Sequence, residues 1–167
     1  MTTTMSETEL ETLFADPVAQ KLLATTIPAR LAYTGVDGAP RVVPIGRWWT
    51  GRQLEIATIP RSAKVAALRR DPRVAVTIDT DGLPPKVLLV RGSAELEEVP
   101  GVPEGYVEMG RRFAGPDAAD EWERGVRGLY DSMTLIRITP TWAKILDFET
   151  RLPSAVEELV LEKQVAG

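Results

Sequence analysis

Apolar positions divide the chain into a short helical start, a β-type middle and a mixed end. Leu10, Leu13 and Phe14 recur at helical spacing behind Ser6 and Glu9, which form an S-x-x-E capping box. Asp16-Pro17 then opens a second turn of helix carrying Val18, Leu22 and Leu23. The pattern predicts one broken helix or two short ones over 7–25. Residues 29–34 read as a strand. Val36-Asp37-Gly38 supplies the positive φ angles of a tight turn, and 40–49 reads as the returning strand. After Thr50-Gly51 a third strand over 53–58 puts Leu54, Ile56 and Thr58 on one face. These three strands read as an antiparallel meander.

The period then lengthens. Residues 62–70 predict a helix with Ser62 at its start, Val65 and Leu68 inward, and Asp71-Pro72 as its stop. Strands follow over 74–79 and 86–97, separated by a loop at 81–85. Residues 100–131 read as helical, broken near Gly115-Pro116, and 135–148 as a last strand with Pro140 at a bulge or an edge. Residues 153–163 read as a short acidic helix or tail. Six strands without regular helix alternation predict a mainly β fold with flanking helices: a small six-stranded antiparallel barrel. The expected organisation is an N-terminal helical segment over 1–26, a barrel domain over 27–150 with a helical excursion at about 100–131, and a tail over 151–167.

Composition narrows the chemistry. The chain has 167 residues, a net charge of -4, no Cys and no His. Disulfides, thiolate nucleophiles, Cys/His metal sites, a Ser-His-Asp triad and a histidine base are therefore impossible. A Cys-free chain suits the cytoplasm. The polar, acidic start predicts no signal peptide. No apolar run reaches the ~18 residues of a membrane helix. The acidic balance argues against nucleic acid as a partner, although small barrels with exposed aromatics do bind single strands. The charge is uneven, however. Between Arg61 and Arg73 stand five cations and one acid.

Three segments can carry chemistry. Thr58-Ile59-Pro60-Arg61-Ser62-Ala63-Lys64 leaves a strand and opens a helix, where free N–H groups and the helix dipole suit a phosphate. Arg61 and Lys64 add charge, and Thr58 and Ser62 add hydroxyls. An ordinary cap with solvated cations accounts for the same residues equally well. Arg69 and Arg70 read as complements to the helix dipole. In the second segment, Arg41-Val42-Val43-Pro44-Ile45-Gly46, Pro44 implies an edge or a bulge, and an edge exposes amide groups to a flat heterocycle. A plain edge strand at a dimer interface is the alternative. Third, Trp48 and Trp49 are adjacent on a strand and must face opposite ways, so one ring needs cover from a helix, a partner or a ligand. Trp142 poses the same question on the last strand.

These segments, in this order and at these distances, resemble the pyridoxamine-phosphate-oxidase-like superfamily, the flavin-binding split β-barrels. The resemblance covers roughly 21–148. Arg41-Val42-Val43-Pro44-Ile45 is similar to the strand that lies along the isoalloxazine ring. Thr58, Ser62 and Lys64 match the family's phosphate segment, and Arg137-Ile138-Thr139-Pro140-Thr141-Trp142 resembles its late strand. The resemblance implies an FMN-binding split barrel, a homodimer with two cofactor sites at the interface, and an oxidoreductase acting on a small conjugated substrate. Arg41, Val43, Pro44, Ile45, Thr58, Arg61, Ser62 and Lys64 would hold the cofactor. Trp48, Trp49 and Trp142 would line the pocket.

Ala63 stands where many members have a second cation, and Gly46 where the vitamin oxidases carry Lys. The late Arg-x-His element of those oxidases is absent, which implies a substrate other than pyridoxamine phosphate. A related branch uses the deazaflavin coenzyme F-420, for which Arg61, Lys64 and Arg69 would form the basic groove. Either cofactor carries out hydride chemistry at its own ring, so a chain without His or Cys suffices. Tyr33, Tyr130 and water remain as proton sources. A carrier or sensor that binds the cofactor without turnover would need the same residues.

Overall fold

The computed structural model describes residues 4–165. The first three residues of the expected N-terminal segment and the last two of the expected tail lie outside the described residues. Helices α1 (Glu7–Phe14) and α2 (Pro17–Ala24) form the start. The strands are β1 (Ala29–Thr34), β2 (Pro40–Ile45), β3 (Trp48–Trp49), β4 (Leu54–Thr58), β5 (Arg73–Asp79), β6 (Val87–Pro100) and β7 (Ser132–Leu146). Helix α3 (Ala63–Arg70) follows β4, α4 (Glu104–Ala114) and α5 (Ala119–Leu129) precede β7, and α6 (Ser154–Val165) ends the described chain.

Local signals in the sequence explain most boundaries. Ser6 and Glu9 cap α1 reciprocally, and the Asp16 carboxylate accepts from the Val18 N–H with Pro17 at the first helical position. The helical excursion splits at Gly115, whose φ of 80° closes α4. Of residues 153–163, expected as a short helix or tail, all but Pro153 fall within the helix α6.

All ladders are antiparallel, in the order β2-β1-β5-β6-β7-β4-β3. This corrects two expectations. The sheet has seven strands, not six, and its ladder is not closed. The predicted strand over 40–49 is two strands, because Gly46 and Arg47 leave the ladder. Consequently β2 and β3 sit at opposite edges of the sheet, and no three-strand meander exists. Their two-residue link has a strong consequence. Ile45 and Trp48 can be no more than about 11 Å apart, so the sheet must curl until its edges meet at one end. The result is a curled sheet split along one seam.

The curl encloses the main core. Leu31, Leu54, Ile56, Ile78, Leu88, Val90, Ile136 and Ile138 are almost fully buried there, with Leu22 and Leu68 brought in from α2 and α3. A second, smaller cluster of Ala57, Val102, Val107 and Met133 sits beneath α4. Pro140 marks the bulge as expected: β6 and β7 shift register between Arg91 and Gly92, which pair with Trp142 and Pro140. A Cβ on Gly92 would lie 2.3 Å from the Thr139 carbonyl oxygen, so only glycine fits there.

Candidate anion and cofactor site

β4 delivers Thr58 to one end of the curled sheet. Along β4 the inward residues are Leu54, Ile56 and Thr58, facing Ile138, Ile136 and Thr134 of β7. The row is therefore apolar until its last pair, which is hydroxyl against hydroxyl. Beyond Thr58 the chain turns tightly, with the Ser62 N–H donating to the Ile59 carbonyl at 3.0 Å. α3 then begins, and Val65, Ala67 and Leu68 bury its inner face.

Ser62 stands at the N-cap of α3, yet its hydroxyl makes no capping bond. Its Oγ is buried and, among the described residues, has no hydrogen-bond partner. Lys64 Nζ lies 3.4 Å from Thr58 Oγ1 and makes no ion pair among the described residues. Burial holds its pKa below the ordinary lysine value. An idle hydroxyl, a part-buried ammonium without a carboxylate and the first N–H groups of a helix form a donor set with no acceptor to match. The donors fit an anion with several oxygens, such as a phosphate. Arg61 is exposed beside them.

The other expected residues are distributed differently. Arg41 is engaged within its own hairpin, donating to Asp37 Oδ2 at 2.7 Å and to the Pro40 carbonyl at 3.2 Å. Val43 and Ile45 pack on the main core, Pro44 is exposed, and β2 is an edge strand as its proline implied. No hydrogen bond joins β2 to the Thr58–Lys64 segment among the described residues.

Trp48 and Trp49 do face opposite ways. Trp49 stacks on Phe14 with ring centroids 4.6 Å apart, while Trp48 joins the second cluster and its Nε1 donates to Glu55 Oε2 at 2.8 Å. Both border a groove of about 570 Å³ between α2 and α4, with Gln20, Glu108, Arg111 and Arg112 on its rim. Trp142 is elsewhere, half-buried under the Arg91 guanidinium at 4.2 Å. The three tryptophans therefore do not form one pocket within a single chain.

Two residues gave no warning in the sequence. Thr134 is fully buried, and its hydroxyl has no partner among the described residues. Arg47 is only 3% exposed and reaches back to the end of α2, donating to the Leu23 carbonyl at 2.7 Å and the Leu22 carbonyl at 2.9 Å. Burial and the nearby Arg112 push its pKa down to about 10, which leaves it charged at neutrality. Among the described residues no group of three acidic side chains could hold a metal ion, and no helix is long and apolar enough to cross a membrane.

No family model matches the sequence, and no curated protein does. Solved structures do resemble it. An F420 reductase is 25% identical, with 75% of this chain and 94% of that chain covered at a TM-score of 0.59. A Clostridium acetobutylicum protein related to general stress protein 26, of the pyridoxinephosphate oxidase family, is 14% identical, with 77% and 85% covered at a TM-score of 0.55. HutZ, the heme storage protein of Vibrio cholerae, is 19% identical, with 79% and 93% covered at a TM-score of 0.57. With its curled antiparallel sheet and the helix that follows β4, the chain shares the fold of these proteins, among them a member of the pyridoxinephosphate oxidase family.

Proposed function

We propose that this protein is an oxidoreductase that holds FMN, or the deazaflavin F-420, by its phosphate on Thr58, Arg61, Ser62 and Lys64. The observation that carries this reading is the donor set without an acceptor: the unpartnered Ser62 hydroxyl and the part-buried Lys64 ammonium at the start of α3. When bound, either cofactor supplies hydride transfer at its own ring. The protein's own residues bind and orient. Lys64 and Arg61 neutralise the phosphate charge, while Thr58 and Ser62 donate to its oxygens. The open edge of β2 at Arg41 and Val43 to Ile45 offers backbone amide groups to the ring.

The groove at Trp48 and Trp49 would take a small planar substrate. A homodimer completes the site in this reading. The outer sheet face carries Val42 at 64% exposure, and a partner would cover it along with Trp142. The compartment in this reading is the cytoplasm.

Titration with FMN and with F-420, followed by ring fluorescence, tests the reading. Saturable binding of one supports it, and binding of neither overturns it. Turnover with a reductant and an acceptor then separates an enzyme from a carrier, since both need the same phosphate residues.

A further inference from the structure

Three side-chain polar atoms among the described residues are buried without a partner: Ser62 Oγ, Thr134 Oγ1 and Arg47 Nε. Arg47 is explained by its bonds to the end of α2. Ser62 belongs to the candidate phosphate site. Thr134 remains. It is fully buried, and valine has nearly its shape without the cost of leaving a buried hydroxyl idle.

Its position suggests what the hydroxyl is for. Thr134 lies directly across the β4–β7 ladder from Thr58, so the two side chains share the inward face at the end of the row. Thr58 Oγ1 already faces the Lys64 ammonium. An ammonium only donates, so the Thr58 oxygen accepts there and keeps one lone pair and its own proton.

We infer that Thr134 is a positioning residue of the anion site. Its hydroxyl donates to the second lone pair of Thr58, directly or through one buried water, and so turns the Thr58 proton toward the phosphate. The inference rests on the reading of Thr58–Lys64 as a phosphate site. Thr134 does not touch the ligand. It fixes the orientation of a group that does, and its hydroxyl stays idle until an anion orders the site.

The inference sets two signs against each other. A threonine kept for packing or for structural hydrogen bonding stabilises the ligand-free protein. A threonine kept for the anion site does not. The test compares the full-length protein with Thr134→Val and Thr134→Ser. Each is titrated with whichever of FMN or F-420 binds, and with the same chromophore lacking its phosphate (riboflavin for FMN). The ligand-free thermal midpoint is measured alongside.

Thr134→Val should reduce the preference for the phosphorylated form about tenfold. It should leave affinity for the phosphate-free form unchanged and the ligand-free midpoint equal or higher. Thr134→Ser should keep the preference. An unchanged preference in Thr134→Val overturns the inference, and so does a lowered midpoint or a failure to fold. A wild-type protein that does not distinguish the two forms is a separate result: it removes the phosphate site itself, and Thr134's role with it.

Discussion

Lys64 Nζ stands 3.4 Å from Thr58 Oγ1, across the turn that joins β4 to α3, and among the described residues it has no carboxylate partner. A lysine that is partly withdrawn from water and left with one hydroxyl is poorly compensated. Lys64→Ala should therefore weaken FMN or F-420 binding by about 1.5–3 kcal/mol, one to two orders of magnitude, with the fold intact. Ring-fluorescence titration checks the affinity and circular dichroism the fold. An unchanged affinity removes Lys64 from the site.

The same residue predicts an effect of opposite sign without ligand. Burial depresses the Lys64 pKa, so the folded state disfavours the charged form. That penalty is fully present at neutral pH. It is relieved as pH rises from the lowered pKa toward the ordinary value of 10.5. Lys64→Met should raise the ligand-free unfolding midpoint at pH 7, and the gain should shrink as pH rises toward 10.5. A lower midpoint at pH 7 would show that the ammonium is satisfied where it stands.

Arg47 ties the seam of the sheet to the end of α2 through two carbonyls and the Thr25 hydroxyl. Cations at a helix C-terminus also meet the negative end of its dipole. Arg47→Met should cost about 3 kcal/mol, since charged hydrogen bonds contribute roughly 1.5–3 kcal/mol each and the carbonyls would lose their donors. For a domain of this size the thermal midpoint should fall by about 6–12 °C. Arg47→Lys should not restore it, because one ammonium cannot reproduce the forked geometry.

Two helical glycines of α4 face tryptophans. A Cβ on Gly110 would lie 1.8 Å from the Trp122 ring, and one on Gly105 would lie 2.2 Å from Trp48 Nε1. Glycine to alanine in a helix ordinarily stabilises by about 1 kcal/mol. Here the sign should reverse, with a loss of about 1–3 kcal/mol from overpacking. Denaturant unfolding of Gly110→Ala measures it. A stabilised variant would mean that α4 does not approach Trp122 this closely.

Asp147 holds the turn after β7. It accepts from the Thr150 hydroxyl and from the backbone N–H groups of Glu149, Thr150 and Arg151. These bonds, the Thr150 hydroxyl foremost, hold its carboxyl well below the usual range. Its stabilising contribution is full above about pH 4 and is lost as pH falls through the lowered pKa. Asp147→Asn should be less stable than wild type at pH 7, and the gap should narrow toward pH 2. Thermal midpoints of both proteins across that range test it, and a constant gap would argue against the carboxylate.

Much of the architecture was legible because it rests on neighbours in sequence. The Ser6–Glu9 box, Asp16-Pro17, Asp37-Gly38 and Asp71-Pro72 act within a few residues, and they mark real element ends. Alternation along β4 placed Leu54, Ile56 and Thr58 on the buried face for the same reason. The candidate phosphate segment could be read too, since a strand that ends in Thr and a helix that opens with Ser and Lys is a local arrangement.

The long-range features could not be read in this way. Gly46-Arg47 interrupts the apolar alternation of Val43, Ile45 and Trp49, but a single charged position in a strand pattern does not show that the chain leaves one edge of the sheet for the other. Only the pairing of β3 with β4 rather than with β1 reveals it. Thr134 is an unremarkable strand threonine until register sets it opposite Thr58, and Arg47 is one more cation until α2 folds back over it. Most helix and strand stretches and the turn from Thr58 to Lys64 could be read from the chain alone, because those depend on backbone propensity and nearby hydrogen bonds. Tertiary structure alone decided which strand lies beside which and which polar groups are buried, because these depend on contacts between residues far apart in the chain.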